Sequence, residues 1–171
     1  VLFRSVGFGA PAPDADGLPT SLTFDELRGP IANGNGDIAV LGHTSEGWGA
    51  YLLRKGGKLV RIAAKDDVIG GGTLKQVANS YRNDIRIGPD GSVLFCAIFD
   101  NDERGLYVRT TDGQLHEVAR VGKALAGIGN ITGIGLSIGG DSGLGYSTDG
   151  KVAVGMGTDD GKVRLILCVP K

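Results

Sequence analysis

The residues of this chain that could do chemistry are few and scattered. Carboxylates gather at Asp66-Asp67 and in the run Asp100-Asn101-Asp102-Glu103-Arg104, with Asp159-Asp160 as a weaker third group. Paired carboxylates held apart across a cleft are the acid and base of glycoside hydrolysis, and clustered oxygens suit a hard cation. The second run lacks the spaced ligands and distal bidentate glutamate of a calcium loop, so it reads as a solvated turn. His43 and His116 stand at a strand end and a strand start with no partner motif, and read as structural. Gly140-Asp141-Ser142-Gly143 approaches a nucleophile elbow but precedes a glycine-rich strand where a helix is required, and reads as loop. Gly70-Gly71-Gly72 and Gly127-Ile128-Gly129 lack the following helix that makes a phosphate cradle. Cys96 and Cys168, far apart in the chain and without a CxxC spacing, read as buried free thiols; no metal or cofactor is implied. Trp48, the single tryptophan, could stack on a sugar or anchor a partner; packing against a neighbouring sheet is the competing reading.

The elements that must position these residues are announced by glycine. There are 31 glycines in 171 residues, against an average usage near 7%. No three-residue period exists and apolar residues are plentiful, which excludes collagen and disorder and leaves a folded, turn-dense chain. A net charge of −1 provides no electrostatic footprint for nucleic acid. No apolar run reaches the roughly 20 residues of a membrane-spanning helix.

Glycine also marks a repeat. Asn33-Gly34-Asn35-Gly36-Asp37-Ile38, Gly88-Pro89-Asp90-Gly91-Ser92-Val93 and Ser147-Thr148-Asp149-Gly150-Lys151-Val152 are one turn leading into one apolar strand, so that Gly36, Gly91 and Gly150 recur at a nearly constant interval. Gly49-Ala50-Tyr51 and Gly105-Leu106-Tyr107 are separated by the same interval, as are Gly57-Lys58-Leu59 and Gly113-Gln114-Leu115. Repeats therefore run over about 9–65, 66–121 and 122–171. Within them, short apolar segments between Gly, Asn and Asp turns predict strands at 29–32, 38–43, 49–54 and 59–63, at 84–87, 92–99, 105–110 and 115–120, and at 144–147, 151–157 and 163–169. A lone strand is expected near 4–8, and a short amphipathic helical turn over 73–81, with Leu74, Val77 and Tyr81 on one face.

A four-stranded antiparallel unit repeated at this interval is the pattern of a propeller blade. The expected fold is all-β, a partial β-propeller of about three four-stranded antiparallel blades belonging to a larger ring, since propellers typically have about four to eight blades. Val1-Leu2-Phe3-Arg4-Ser5 matches the translation of a common sequencing adapter, so residues 1–5 are expected to be a non-native scar and 6–171 a single propeller fragment with further blades upstream.

The pattern Pro-x-x-Asn-x-x-Gly-x-Ile/Val-x-Val/Phe, then Gly-x-Tyr, then Gly-Gly-x-Leu, resembles a family of bacterial tandem-repeat proteins with Asn-x-x-Gly-x-Val-x-Phe type repeats. Pro30-Ile31-Ala32-Asn33-Gly34-Asn35-Gly36 fits it best; the later repeats replace the asparagine with Gly88 and Ser147. The resemblance covers nearly the whole chain through turn and core residues. It implies a β-propeller that is exported or surface-anchored, with a noncatalytic role, and it carries no catalytic residue over.

Blade topology puts the turns between first and second strands at one end and those between second and third strands at the other. The second group (44–48, 100–104, 158–160) and the long connections between repeats (64–83, 121–143) gather at one end, which is the expected binding face. The candidate binding residues there are Trp48, Asp66, Asp67, Tyr81, Arg82, Asp100, Asp102 and Arg104. The expected function is a noncatalytic extracellular or cell-surface module for binding, adhesion or display, with a glycan or protein ligand. The alternative is a propeller enzyme acting on carbohydrate, with Asp66, Asp67 and Asp100 in an acidic centre that missing blades complete.

Overall fold

Alternation of apolar side chains between left-handed turns dictates the architecture, and the computed structural model shows it for residues 6–77, 85–135, 144–147 and 149–168. No helix occurs among the described residues; the chain is all-β, built of curled antiparallel sheets. A hairpin of β1 (Pro11–Pro13) and β2 (Pro19–Thr23) precedes the first sheet, the meander β3 (Glu26–Ala32), β4 (Ile38–Thr44), β5 (Gly47–Leu53), β6 (Leu59–Ala63). The second sheet holds β7 (Val68–Ile69), β8 (Gly72–Val77), β9 (Ile85–Ile87), β10 (Val93–Phe99), β11 (Arg104–Arg109) and β12 (Leu115–Arg120). The third comprises β13 (Ala124–Leu125), β14 (Gly129–Ile134), β15 (Leu144–Tyr146), β16 (Val152–Thr158) and β17 (Val163–Cys168).

The turn that marks the repeat is the same object each time. Gly36, Gly91 and Gly150 have φ of 86°, 88° and 80°, and their N–H groups donate to the carbonyls of Asn33, Gly88 and Ser147. Only glycine adopts such φ without steric cost, so the turn chemistry sets the register of the strands it joins.

Several expectations are corrected. The 73–81 segment is not helical where described: residues 73–77 lie in β8, paired with β10. Leu74 and Val77 do share a buried face, but a β-bulge separates them, since Ile98 faces Gln76 while Phe99 faces Leu74. One inserted residue stretches the strand spacing of two to three, which imitates helical periodicity. Ile131 and Ile134 repeat the device in β14. The long inter-repeat connections are consequently not open loops: they contain the β7–β8 and β13–β14 hairpins. The predicted strands 84–87 and 144–147 are only second halves, because β8 with β9 and β14 with β15 fill one position beside β10 and β16. In the first sheet β3 spans that position alone, with its irregularity between Arg28 and Ile31. Of the strand expected near 4–8, the described residues 6–8 lie in no strand.

The sheets pack face to face. In β10, Val93, Phe95, Ala97 and Phe99 join Ala39, Leu41, Trp48, Ala50 and Leu52 of the first sheet in one core. The alternate residues Leu94 and Cys96 join Ile131, Ile134, Val154 and Met156 of the third sheet in another. Burial on both faces explains why β10 reads as an uninterrupted apolar run. Both cysteines belong to the second core as thiols, Cys96 buried and Cys168 half-buried.

The Gly-x-Tyr motif has a packing cause. The ring of Tyr107 lies back over Gly105 and that of Tyr51 over Gly49, so a side chain at either glycine would enter the ring. The third repeat replaces the motif with Arg164-Leu165-Ile166, which has no ring to accommodate.

Candidate functional site

Successive meanders leave a cleft between β6 of the first sheet and the β11–β12 turn of the second. It holds two adjoining cavities of about 240 and 210 Å³ that share Ala15, Ile62, Arg109 and Gly113. Four cations line them: Arg54, Lys58, Arg61 and Arg109. The one acid among the lining residues is Asp67. Arg61 donates to Asp67 Oδ1 at 3.1 Å, while Asp67 Oδ2 accepts from the Ala64 N–H at 2.8 Å and ties the turn before β7. Arg54 reaches the buried Asp37 at 3.4 Å, whose other oxygen accepts from the Lys55 N–H at 2.9 Å.

Arg109 differs from its neighbours. Its Nη1 donates to the carbonyls of Ile62 at 3.0 Å and Arg61 at 3.3 Å, and it forms no ion pair among the described residues. Two neutral acceptors from one strand fix a half-buried guanidinium across the sheet boundary while leaving its charge unneutralised. A planar cation with free donors in a partly desolvated cleft is suited to carboxylate or sulfate oxygens.

The predicted loop end is assembled differently from its expectation. The Asp100 N–H donates to the Thr73 carbonyl at 3.1 Å, so the β10–β11 turn and the β7–β8 hairpin do meet. Asp102 pairs with Lys75 at 2.7 Å, and this contact holds its carboxyl below the usual range and raises Lys75. Glu103 pairs with Arg120, which also donates to the Gly70 carbonyl and lies over the Phe99 ring. Arg104 opens β11, exposed.

Asp66 and Asp102 have a backbone explanation. Their φ values are 69° and 61°, the only left-handed non-glycine residues among those described. Gly9 and Gly122 occupy the position of Asp66 in the other repeats, and Gly161 that of Asp102 in the third repeat, the corresponding turn of the first sheet being one residue shorter. Aspartate tolerates this conformation better than most residues, so both acids stand where a turn requires positive φ.

Trp48 lies within β5 rather than in the turn, and it is buried, with the Arg28 guanidinium 4.8 Å and the His43 ring 5.0 Å from its own. His43 has a partner that sequence reading missed: its Nδ1 lies 2.6 Å from Oδ1 of Asp25, which precedes β3 and faces the end of β4. Tyr81, Arg82 and the segment 140–143 lie outside the described residues. No group of three or more His, Cys, Asp or Glu among the described residues could hold a metal, and no helix among them is long and apolar enough to cross a membrane.

Burial raises the hydroxyls of Tyr51 and Tyr107 to about 12; at Tyr107 the neighbouring Glu117 adds to the shift. These phenols stay neutral near pH 7, and that of Tyr107 acts as a hydrogen-bond donor to Glu117 at 3.1 Å.

Sequence reading did not find the cleft arginines. Arg61 and Arg109 belong to different repeats and stand out of phase with one another, and no spacing rule links them. Comparison of the chain with protein-family models, with curated proteins and with solved structures gives no match.

Proposed function

We propose that this protein is a noncatalytic β-propeller-type binding module that works outside the cell or at its surface and holds an acidic glycan in the cleft between its first two sheets. The unneutralised Arg109 guanidinium carries the ligand assignment, with Arg54, Lys58 and Arg61 around it and Asp67 as the single acid lining the two cavities. The face-to-face stacking of repeated antiparallel sheets supports the propeller reading. The resemblance of the repeats to exported and surface-anchored proteins supports the setting.

Calorimetric titration with a uronate-rich polysaccharide and a neutral one of the same length tests this. Binding is expected for the acidic polymer alone, weakening as salt rises. Arg109→Ala should weaken it at least about tenfold, the equivalent of one charge-assisted hydrogen bond of roughly 1.5–3 kcal/mol. Equal binding of both polymers, or acidic binding indifferent to Arg109→Ala, would reject the assignment.

A further inference from the structure

Arg109 is held in a way that leaves one edge of its guanidinium open. Its Nη1 donates to two successive carbonyls, those of Arg61 and Ile62, at 3.3 and 3.0 Å. Successive carbonyls of a regular strand point to opposite sides, so two converge on one nitrogen only where the ladder is interrupted. β6 is interrupted there: Ala50 pairs with Ala63 and Tyr51 with Arg61, which leaves Ile62 as the extra residue of a bulge. β12 repeats the bulge at Val118, between Glu117 and Ala119. The residue of the next sheet equivalent to Arg109 is Cys168, paired with Val152 as Arg109 is with Val93. Of the two boundaries described, only the first sets an arginine over the bulge.

The two carbonyls take up both hydrogens of Nη1. The opposite edge, formed by Nε and Nη2, donates to no acceptor among the described residues. A Cβ at Gly113 would lie 3.7 Å from Nη2, so the glycine of the β11–β12 turn keeps the approach to that nitrogen clear. The tip of the β1–β2 hairpin forms another wall through Ala15, which lines both cavities. That tip runs over 14–18, longer than its counterparts at 70–71 and 126–128, and the Arg61 N–H holds it against β6 by donating to the Asp14 carbonyl at 3.1 Å.

We infer that the Nε–Nη2 edge of Arg109 takes the carboxylate of a uronic acid residue, one oxygen on each nitrogen, and selects uronates over sulfate esters of equal charge. This deepens the acidic-glycan reading above and rests on it. Geometry decides between the two anions. The guanidinium edge presents two parallel N–H donors in one plane, and a carboxylate presents two oxygens to match. A sulfate ester spreads the same charge over three oxygens in a tetrahedron, which leaves one without a fixed donor in a partly desolvated cleft. Arg54 and Arg61 are turned to Asp37 and Asp67. Exposed Lys58 attracts either anion alike.

Calorimetric titration of the chain with three oligosaccharides of one length tests this: a galacturonate oligomer, a galactose 6-sulfate oligomer with the same charge per sugar, and a neutral galactose oligomer. The uronate is expected to bind about tenfold or more tighter than the sulfate. Arg109→Lys keeps the charge and removes the planar fork. Uronate affinity should then fall about tenfold and the preference disappear, while sulfate affinity changes less than about threefold. Gly113→Asp and Gly113→Asn leave Arg109 in place, and both residues tolerate the left-handed turn at φ 86°. Only the aspartate brings an acid to Nη2, so it should weaken uronate binding about fivefold or more beyond the asparagine. Circular dichroism checks that each variant is folded; if Arg109→Lys is not, the Gly113 pair decides. A wild-type chain without preference for the uronate, an Arg109→Lys chain that keeps the preference, or Gly113 variants of equal effect would each overturn the inference. The acidic-glycan reading fails separately, if neither anionic oligomer binds more tightly than the neutral one.

Discussion

Gly105→Ala probes the packing that the Gly-x-Tyr motif encodes. A Cβ at Gly105 would lie 2.5 Å from Cε2 and 3.2 Å from Cζ of Tyr107, and 3.3 Å from Cε2 of Phe99. The Tyr107 ring has nowhere to go: it is 1% exposed, the rings of Phe95 and Phe99 lie 6.2 and 6.0 Å away, and its hydroxyl is bound to Glu117. Overpacking of this kind costs about 1–3 kcal/mol. Gly105 does not have a left-handed φ, so alanine recovers about 0.4–1 kcal/mol by restricting the unfolded chain. The net loss is about 1–2 kcal/mol, which lowers Tm by roughly 2–8 °C at this chain length. Thermal unfolding followed by circular dichroism measures it. Combining Gly105→Ala with Tyr107→Leu removes the ring that the methyl strikes, so the double-mutant cycle should show a coupling of about 1–2 kcal/mol. An unchanged or raised Tm for Gly105→Ala, or a coupling near zero, would refute the claim that this glycine exists to receive the ring. Gly49→Ala should cost less, since its nearest contact with Tyr51 is 3.0 Å.

Asp66 stands at φ 69° with an exposed carboxylate 3.9 Å from Lys65, a pair worth about 0–1 kcal/mol. Asp66→Gly should therefore change stability by less than about 1 kcal/mol, as relief of the left-handed backbone is set against glycine's unfolded-state entropy. Asp66→Val should lose about 1–2 kcal/mol in urea denaturation, and a valine variant as stable as the glycine one would contradict the turn assignment. The Tyr51 and Tyr107 hydroxyls, raised from 10.0 to about 12, predict a base-side limit. A folded-state pKa above the unfolded one means that the fold favours the neutral phenol, so this stability is fully present below pH 10 and is lost as pH rises toward 12. Urea midpoints across that window should fall less steeply for the Tyr51→Phe, Tyr107→Phe double variant; equal slopes would show that these phenols do not govern the loss.

The strand order inside each sheet was legible because turn chemistry is local. A left-handed glycine before an apolar run specifies a hairpin whatever surrounds it, and Gly36, Gly91 and Gly150 do so three times. The interruption of the first strand position was not legible, because β8 and β9 are joined through β10 and not through a shared pattern of their own. Bulges compounded the difficulty by giving Leu74 and Val77, and then Ile131 and Ile134, the spacing of a helix face. Trp48 looked like a loop residue because the predicted turn ran through 48, whereas the β4–β5 ladder continues to the Thr44–Gly47 pair.

The candidate site was hidden for a different reason, and the repeats themselves supply the remedy. Residue type drew attention to the acids, yet both other repeats at the Asp66 position, and the third repeat at the Asp102 position, carry left-handed glycine, which identifies both acids as turn residues before any chemistry is assigned. Residue type passed over Arg109, whose character depends on two carbonyls of another repeat, and over Leu165, an unremarkable strand residue in isolation. What distinguishes Leu165 is that Ala50 and Leu106, at the same ladder position, are sealed by a neighbouring sheet. In a repeat protein each sheet is the control for the next. A polar residue at a position where its counterparts are glycine is first a matter of backbone geometry, and an apolar residue exposed where its counterparts are buried marks a sheet face that no described neighbour covers.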